Sequence, residues 1–249
     1  MKPLPFLIAT AAVLATAACN ADQAATTANA ADIPVTATPV PAPNNGDWST
    51  IVTQTPEGGF LMGNPDAQVK LVEFGSMTCP HCADFDENGL KPLIDEYVKK
   101  GLVSFEFRNF VRDPYDITAA LVARCGGPTS FFGLTRAMYA DQENWITKVQ
   151  ADPAAMQALE NQPPQAQFKA IADLAGFPAF AAMRGVPRAK TEACLADPAG
   201  ASRLVEMNTD AATNFKVPGT PSFLINGKLV ENVSNWTTLE PAIKSALNS

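Results

Sequence analysis

The chain has 249 residues, 47% of them hydrophobic and 17% charged, with 25 acidic side chains against 18 basic ones and a formal charge of −7. That composition belongs to a globular protein with a core and excludes a disordered chain. The charges form no like-signed block, and without a basic face the chain is not a nucleic-acid binder.

The N-terminus reads as a targeting signal at residues 1–18: Lys2 supplies a positive start, residues 4–18 are apolar, and small residues lead into Cys19. About 15 apolar residues interrupted by Pro5 are too few to span a bilayer comfortably. Ala15-Thr16-Ala17-Ala18 before Cys19 resembles a bacterial lipoprotein signal, although Thr16 stands where leucine is usual. In that reading Cys19 carries lipid, and the membrane is reached only through this anchor; in the other, cleavage falls near Ala17 or Ala18. Export places the mature chain where disulfides persist. It also gives the odd number of cysteines, five, an explanation, with Cys19 as the odd one out.

Residues 19–47 are Ala, Thr, Pro and Asn with almost no large apolar side chain, and they read as a flexible tether. A coil of that length spans on the order of 30 Å. The folded domain is expected over 48–249. Residues 51–55 and 59–62 read as short strands, 63–66 as a turn, and 69–74 as a buried strand rich in β-branched and large apolar residues. Cys79-Pro80-His81-Cys82 opens a helix with Phe85, Leu90, Leu93, Ile94 and Tyr97 as buried positions, kinked around Gly89 and Pro92 and stopped by Gly101. Residues 102–107 alternate as a strand. From about 114 to 215 helix-length stretches are punctuated by Gly126-Gly127-Pro128, Pro163-Pro164, Gly176 and Pro198. Asn226-Gly227 between two short apolar runs signals a hairpin, and residues 238–247 form a closing helix. The sum is an α/β sheet interrupted by a helical insertion at about 114–215.

The chemistry concentrates at Cys79-Pro80-His81-Cys82. A cysteine at a helix N-terminus sees unsatisfied backbone N–H groups and the positive end of the dipole, which favour the nucleophilic thiolate. Pro80 suits the first helical turn, where its missing N–H is not needed. His81 adds a donor or a positive charge beside the sulfur. A stabilised thiolate makes the disulfide a stronger oxidant, while Asp84, Asp86 and Glu87 on the next turn pull the other way. A structural zinc site would need about four ligands, but His81 is the only histidine and Cys125 and Cys194 are solitary. No metal and no cofactor is expected beyond the redox-active pair itself. Cys125 and Cys194 most simply pair with each other, closing a loop of about 70 residues worth roughly 4 kcal/mol on a chain-entropy account; two separate buried thiols or a second redox pair are the alternatives.

Gly63-Asn64-Pro65, residues 69–74 and Cys79-Pro80-His81-Cys82 with Phe85 resemble the DsbA-type branch of the thioredoxin superfamily. The resemblance runs from about Gly58 to the C-terminus and implies a thioredoxin fold with an inserted helical domain. By it Cys79 is the exchanging sulfur and Cys82 the buried resolving thiol. Glu73 matches the family's buried acid, which relays protons to and from Cys82. Gly219-Thr220-Pro221 matches the cis-proline loop, with the Thr220 backbone pairing an extended substrate. The implied activity is a periplasmic oxidase of folding exported proteins, recharged by a membrane quinone-linked protein of the DsbB type. An isomerase or reductase on the same fold is the second reading, and a non-catalytic peptide-binding lipoprotein adaptor the third.

Overall fold

The computed structural model describes residues 34–249. The signal segment at 1–18, Cys19 and the first part of the expected tether lie outside the described residues.

Two short strands open the sheet, β1 (Val52–Gln54) and β2 (Phe60–Met62), paired antiparallel with Val52 against Met62. β3 (Val69–Gly75) follows, then α1 (Pro80–Asn88), α2 (Leu90–Leu93) and a π-turn at Ile94–Val98. This helical crossover lets β4 (Val103–Asn109) pair parallel to β3, Val69 against Val103. Gly89 sits at the break between α1 and α2, where a Cβ would fall 2.6 Å from the Phe85 ring. Phe85, Leu90, Leu93 and Tyr97 are buried as their spacing requires, while Ile94 is half-buried. Phe85 packs against Phe223 with ring centroids 4.8 Å apart.

After β4 the chain leaves the sheet for α3 (Pro114–Cys125), α4 (Pro128–Ala140), α5 (Gln142–Gln150), α6 (Pro153–Leu159), α7 (Pro164–Ala175), α8 (Phe177–Ala182) and α9 (Arg188–Ala196). Pro114, Pro128, Pro153 and Pro164 each open a helix, where a fixed φ is already helical and the missing N–H costs nothing. α3 runs through the middle of this layer against α4, α7 and α9. Ala119, Ala120 and Ala123 are fully buried and let the neighbouring helices approach it closely. The helical stretch is not all one layer, however. α10 (Pro198–Thr213) reaches both α3 and the sheet beside β4, where Ala211 packs with Val72, Phe74 and Leu224.

β5 (Ser222–Ile225) and β6 (Lys228–Leu229) complete a six-stranded sheet in the order β1-β2-β4-β3-β5-β6, with β5 antiparallel to β3. The hairpin between them places Asn226 and Gly227 at φ +50° and +79°, the conformation for which that dipeptide is suited. α11 (Trp236–Leu247) closes the chain, capped by the Asn235 side chain on the Thr238 N–H. Because β4 is central it is buried along its whole length rather than on one face. Val103, Phe105 and Phe107 join the main core. Glu106 and Arg108 form their own polar layer, with Arg108 Nε donating to Glu106 Oε1 at 2.8 Å and the Thr55 hydroxyl to the same oxygen at 2.7 Å.

The described part of the expected tether is docked. The Val40 N–H donates to the Lys100 carbonyl at 2.9 Å, Trp48 Nε1 to the Val40 carbonyl at 2.8 Å, and the Thr36 N–H to Asn248 Oδ1 at 2.9 Å. Val35 and Ala37 pack against the core. Small apolar side chains and backbone hydrogen bonds do here what the composition suggested only large residues could. Gly101 seats this strap: its φ is +68°, and a Cβ would fall 2.7 Å from Trp48 Nε1.

Candidate active site

β3 delivers the chain at Gly75 to a short loop, and Cys79 stands at the N-cap of α1 with extended backbone angles, φ −89° and ψ 118°. Its N–H donates to the Ser76 carbonyl at 3.1 Å, and its own carbonyl accepts the first helical hydrogen bond, from Ala83, at 3.2 Å. Pro80 occupies the first helical position and, with His81, lies exposed on the rim. Cys82, one turn on, has no exposed surface. Both cysteines are thiols in this structure.

The sheet brings the second part of the site. β5 pairs with β3 so that Ser222 opposes Phe74 and Phe223 opposes Glu73, and the loop ahead of β5 therefore lands beside Cys79. The Thr220–Pro221 bond in this loop is cis, as the resemblance implied. The Cys79 thiol donates to the Thr220 carbonyl at 3.2 Å. Thr220 Oγ1 is buried without a partner while Cys79 keeps its proton, which leaves that hydroxyl free to donate once the sulfur is charged.

The two sulfurs have opposite electrostatics. Cys79 is lowered from 9.0 to about 5, first by hydrogen bonding from the Cys82 thiol, then, against the cost of burial, by the Thr220 hydroxyl and the backbone N–H groups of Cys82 and His81. His81 acts on this sulfur through its main-chain N–H. Cys82 is pushed well above 9.0, by burial first, then by its donation to Cys79 and by the charge of Glu73. Glu73 is itself only 3% exposed, and its Oε1 has no partner. Burial, followed by the charges of Asp86 and Cys79, pushes its carboxyl well above the usual range. It holds a proton at a pH where a surface glutamate has lost one. Of the acids on the following turn, Asp86 is raised to about 6 by burial and sits 3.6 Å from the Arg136 guanidinium, which draws it back down.

The fold thus gathers Cys79, Cys82, Glu73, Thr220 and Pro221 around one pair of sulfurs. Cys125 and Cys194 lie apart, in the helical layer, joined by a disulfide with Cα atoms 5.9 Å apart. Three residues of the helical layer that the sequence reading did not single out also reach the Cys79 loop: Asp116, Tyr139 and Gln142. Asp116 reads in sequence as an ordinary acid in the first turn of a helix, and the other two carry no local signal.

Chemically, the arrangement can hold one sulfur as a thiolate and its neighbour as a thiol, with a protonated acid behind the pair. Known proteins resemble most of the described chain. The family model described as thioredoxin matches residues 55–245. A Rickettsia prowazekii protein named as a protein-disulfide oxidoreductase is 26% identical over 193 residues, covering 77% of this chain; the chain spans 62% of that relative's length. A crystal structure described as a protein-disulfide isomerase from Novosphingobium aromaticivorans is 38% identical, with a TM-score of 0.72 over 76% of this chain and 97% of that one. Wolbachia pipientis alpha-DsbA1, at 19% identity and a TM-score of 0.61 over 84% of this chain and 94% of its own, shares the fold. With its strand-to-helix cysteine pair, cis-proline loop and inserted helices, the chain belongs to the thioredoxin family.

Proposed function

We propose that the protein is a protein-disulfide oxidoreductase that donates its Cys79–Cys82 disulfide to the thiols of exported proteins as they fold. A substrate thiolate attacks Cys79 Sγ, forming a mixed disulfide, and the electron pair of the broken S–S bond leaves on Cys82. Cys82 takes a proton, which its raised affinity favours and which Glu73 is placed to supply. The substrate's second thiolate then attacks the substrate sulfur of the mixed disulfide and expels Cys79 as a stable thiolate. The substrate has lost two electrons and two protons, and the reduced pair holds the electrons. Thr220, through its backbone, and Pro221 beside it present the wall against which an extended substrate would lie.

The observation that carries this reading is the inequality of the two sulfurs. A thiolate lowered to about 5 stabilises the reduced protein against its disulfide and makes the disulfide an oxidant. We place the protein in the periplasm, recharged by a membrane quinone-linked oxidant of the DsbB type and held near it by lipid on Cys19; the pair needs no cofactor. No helix among the described residues is long and apolar enough to cross a membrane.

The test is the reduction potential of the Cys79–Cys82 pair, measured by equilibration with glutathione. A value above about −180 mV, that of a typical isomerase, supports oxidation, and one near about −270 mV would make the protein a reductase. The description of the 38% identical Novosphingobium structure favours isomerisation as the second reading. In that reaction the Cys79 thiolate of the reduced protein opens a mispaired disulfide, so recovery of scrambled substrate by the reduced form separates the two.

A further inference from the structure

Between β3 and Cys79 the chain passes through Ser76, Met77 and Thr78, and the helical layer grips this loop. Asp116, in the first turn of α3, has no solvent exposure. Its Oδ1 accepts the Met77 N–H at 2.7 Å, and its Oδ2 accepts the Ser76 hydroxyl at 2.6 Å and the Arg112 N–H at 3.1 Å. The Tyr139 hydroxyl donates to the Ser76 carbonyl at 3.1 Å, the same oxygen that accepts the Cys79 N–H. Gln142 Nε2 bridges the carbonyls of Met77 and Cys79 at 2.8 and 3.1 Å.

A carboxyl this buried is costly unless its partners require it. The helix that carries it does not: α3 is capped by Asp113, whose Oδ1 takes the Asp116 N–H at 2.8 Å. Two of the three donors to Asp116 come instead from the loop that ends in Cys79. We propose that Asp116 is a positioning residue for Cys79, fixing Ser76 and Met77 so that the cysteine sulfur stays aligned with the backbone N–H groups of His81 and Cys82. The helical insertion thereby sets the reactivity of a sulfur that the sheet presents. Without the Asp116 acceptor, Ser76 and Met77 lose their anchor, the N-cap angles of Cys79 relax, and the thiolate loses donors. This rests on the reading of Cys79 as the exchanging sulfur.

The experiment uses the full chain with Asp116→Ala and Asp116→Asn, and Leu247→Ala as a control. Leu247 is buried in α11 and its carbonyl bonds Gln68 at the start of β3, the end of the sheet away from the thiols. Thiolate absorbance is followed against pH, together with the rate of exchange with a dithiol peptide at mildly acidic pH. Asp116→Ala is expected to raise the Cys79 midpoint by about one unit and slow exchange about tenfold. Asp116→Asn, which keeps an acceptor for Met77, should fall between it and the parent. Leu247→Ala should lose stability without moving the midpoint. A folded Asp116→Ala protein with the parent's midpoint and rate overturns the proposal. If that variant does not fold, Asp116→Asn and Ser76→Ala are read the same way, and two unmoved midpoints overturn it. A parent midpoint near 9 would overturn the reading of Cys79 as well, which keeps the two failures distinct.

Discussion

The chain carries two cysteine pairs, and they sit at opposite kinds of helix end. Cys79 is the N-cap of α1, where N–H groups converge on its sulfur. Cys125 is the last residue of α3, and Cys194 lies in the last turn of α9, where the dipole is negative. One setting favours a thiolate and the other opposes it, so an S–S bond is more readily exchanged in the first place than in the second. Spacing adds to the contrast. Cys79 and Cys82 are one turn apart and constrain little, whereas the Cys125–Cys194 bond closes a separation of 69 residues and ties the first helix of the insertion to α9.

The sharpest way to break this comparison is to exchange roles by mutation. Cys79→Ala is expected to reduce disulfide transfer to the uncatalysed rate while leaving the fold intact, and Cys82→Ala to accumulate mixed disulfides at Cys79, visible on non-reducing gels. Transfer surviving in Cys79→Ala would assign the chemistry to the other pair. The double variant Cys125→Ala/Cys194→Ala should retain transfer but lose about 2–4 kcal/mol in urea denaturation. Glu73→Gln comes next. It keeps the shape but offers no exchangeable acid proton, and should slow release of Cys82 by about tenfold in single-turnover measurements, the modest size reflecting how readily a thiolate leaves.

The smallest effect is a pH signature. Because Cys79 is lowered from 9.0 to about 5 in the folded reduced protein, the unfolded state binds more protons between those values. The stabilisation of the reduced form is therefore complete above about 9 and disappears as the pH falls through about 5. Reduced and oxidised proteins should differ in denaturation midpoint at neutral pH and lose this part of the difference in acid. Over the same range the reduction potential should change its slope from about 59 mV to about 30 mV per pH unit as one proton ceases to accompany the two electrons. A slope constant through pH 5 would leave Cys79 an ordinary thiol.

Much of this was legible in the residues themselves, and the exceptions have physical reasons. Asn226-Gly227 marks its hairpin because few dipeptides accept two positive φ angles, and prolines mark helix starts because few other positions tolerate them. The cysteine pair after a buried strand was equally plain. The return of α10 to the sheet was not, since an amphipathic pattern says that a face is buried but not against what. The docked strap escaped notice because Val35 and Ala37 are small and its hydrogen bonds are made by backbone. Glu73 and the Thr220–Pro221 loop were located by family resemblance rather than by pattern, as an acid in a strand and a Thr-Pro pair are unremarkable alone. Asp116 was invisible because its importance comes from a loop about 40 positions earlier in the chain.

The strap has a directional consequence. It is fastened at Lys100, Gly101 and Asn248, beside the ends of β3 and β4 where the strands begin, whereas Cys79 follows the end where β3 finishes. The segment from residue 34 to Trp48 thus lies against the end of the sheet opposite the one that leads to Cys79. Held from that side, the strap leaves the rim of the cysteine pair uncovered, with Pro80 and His81 open to solvent.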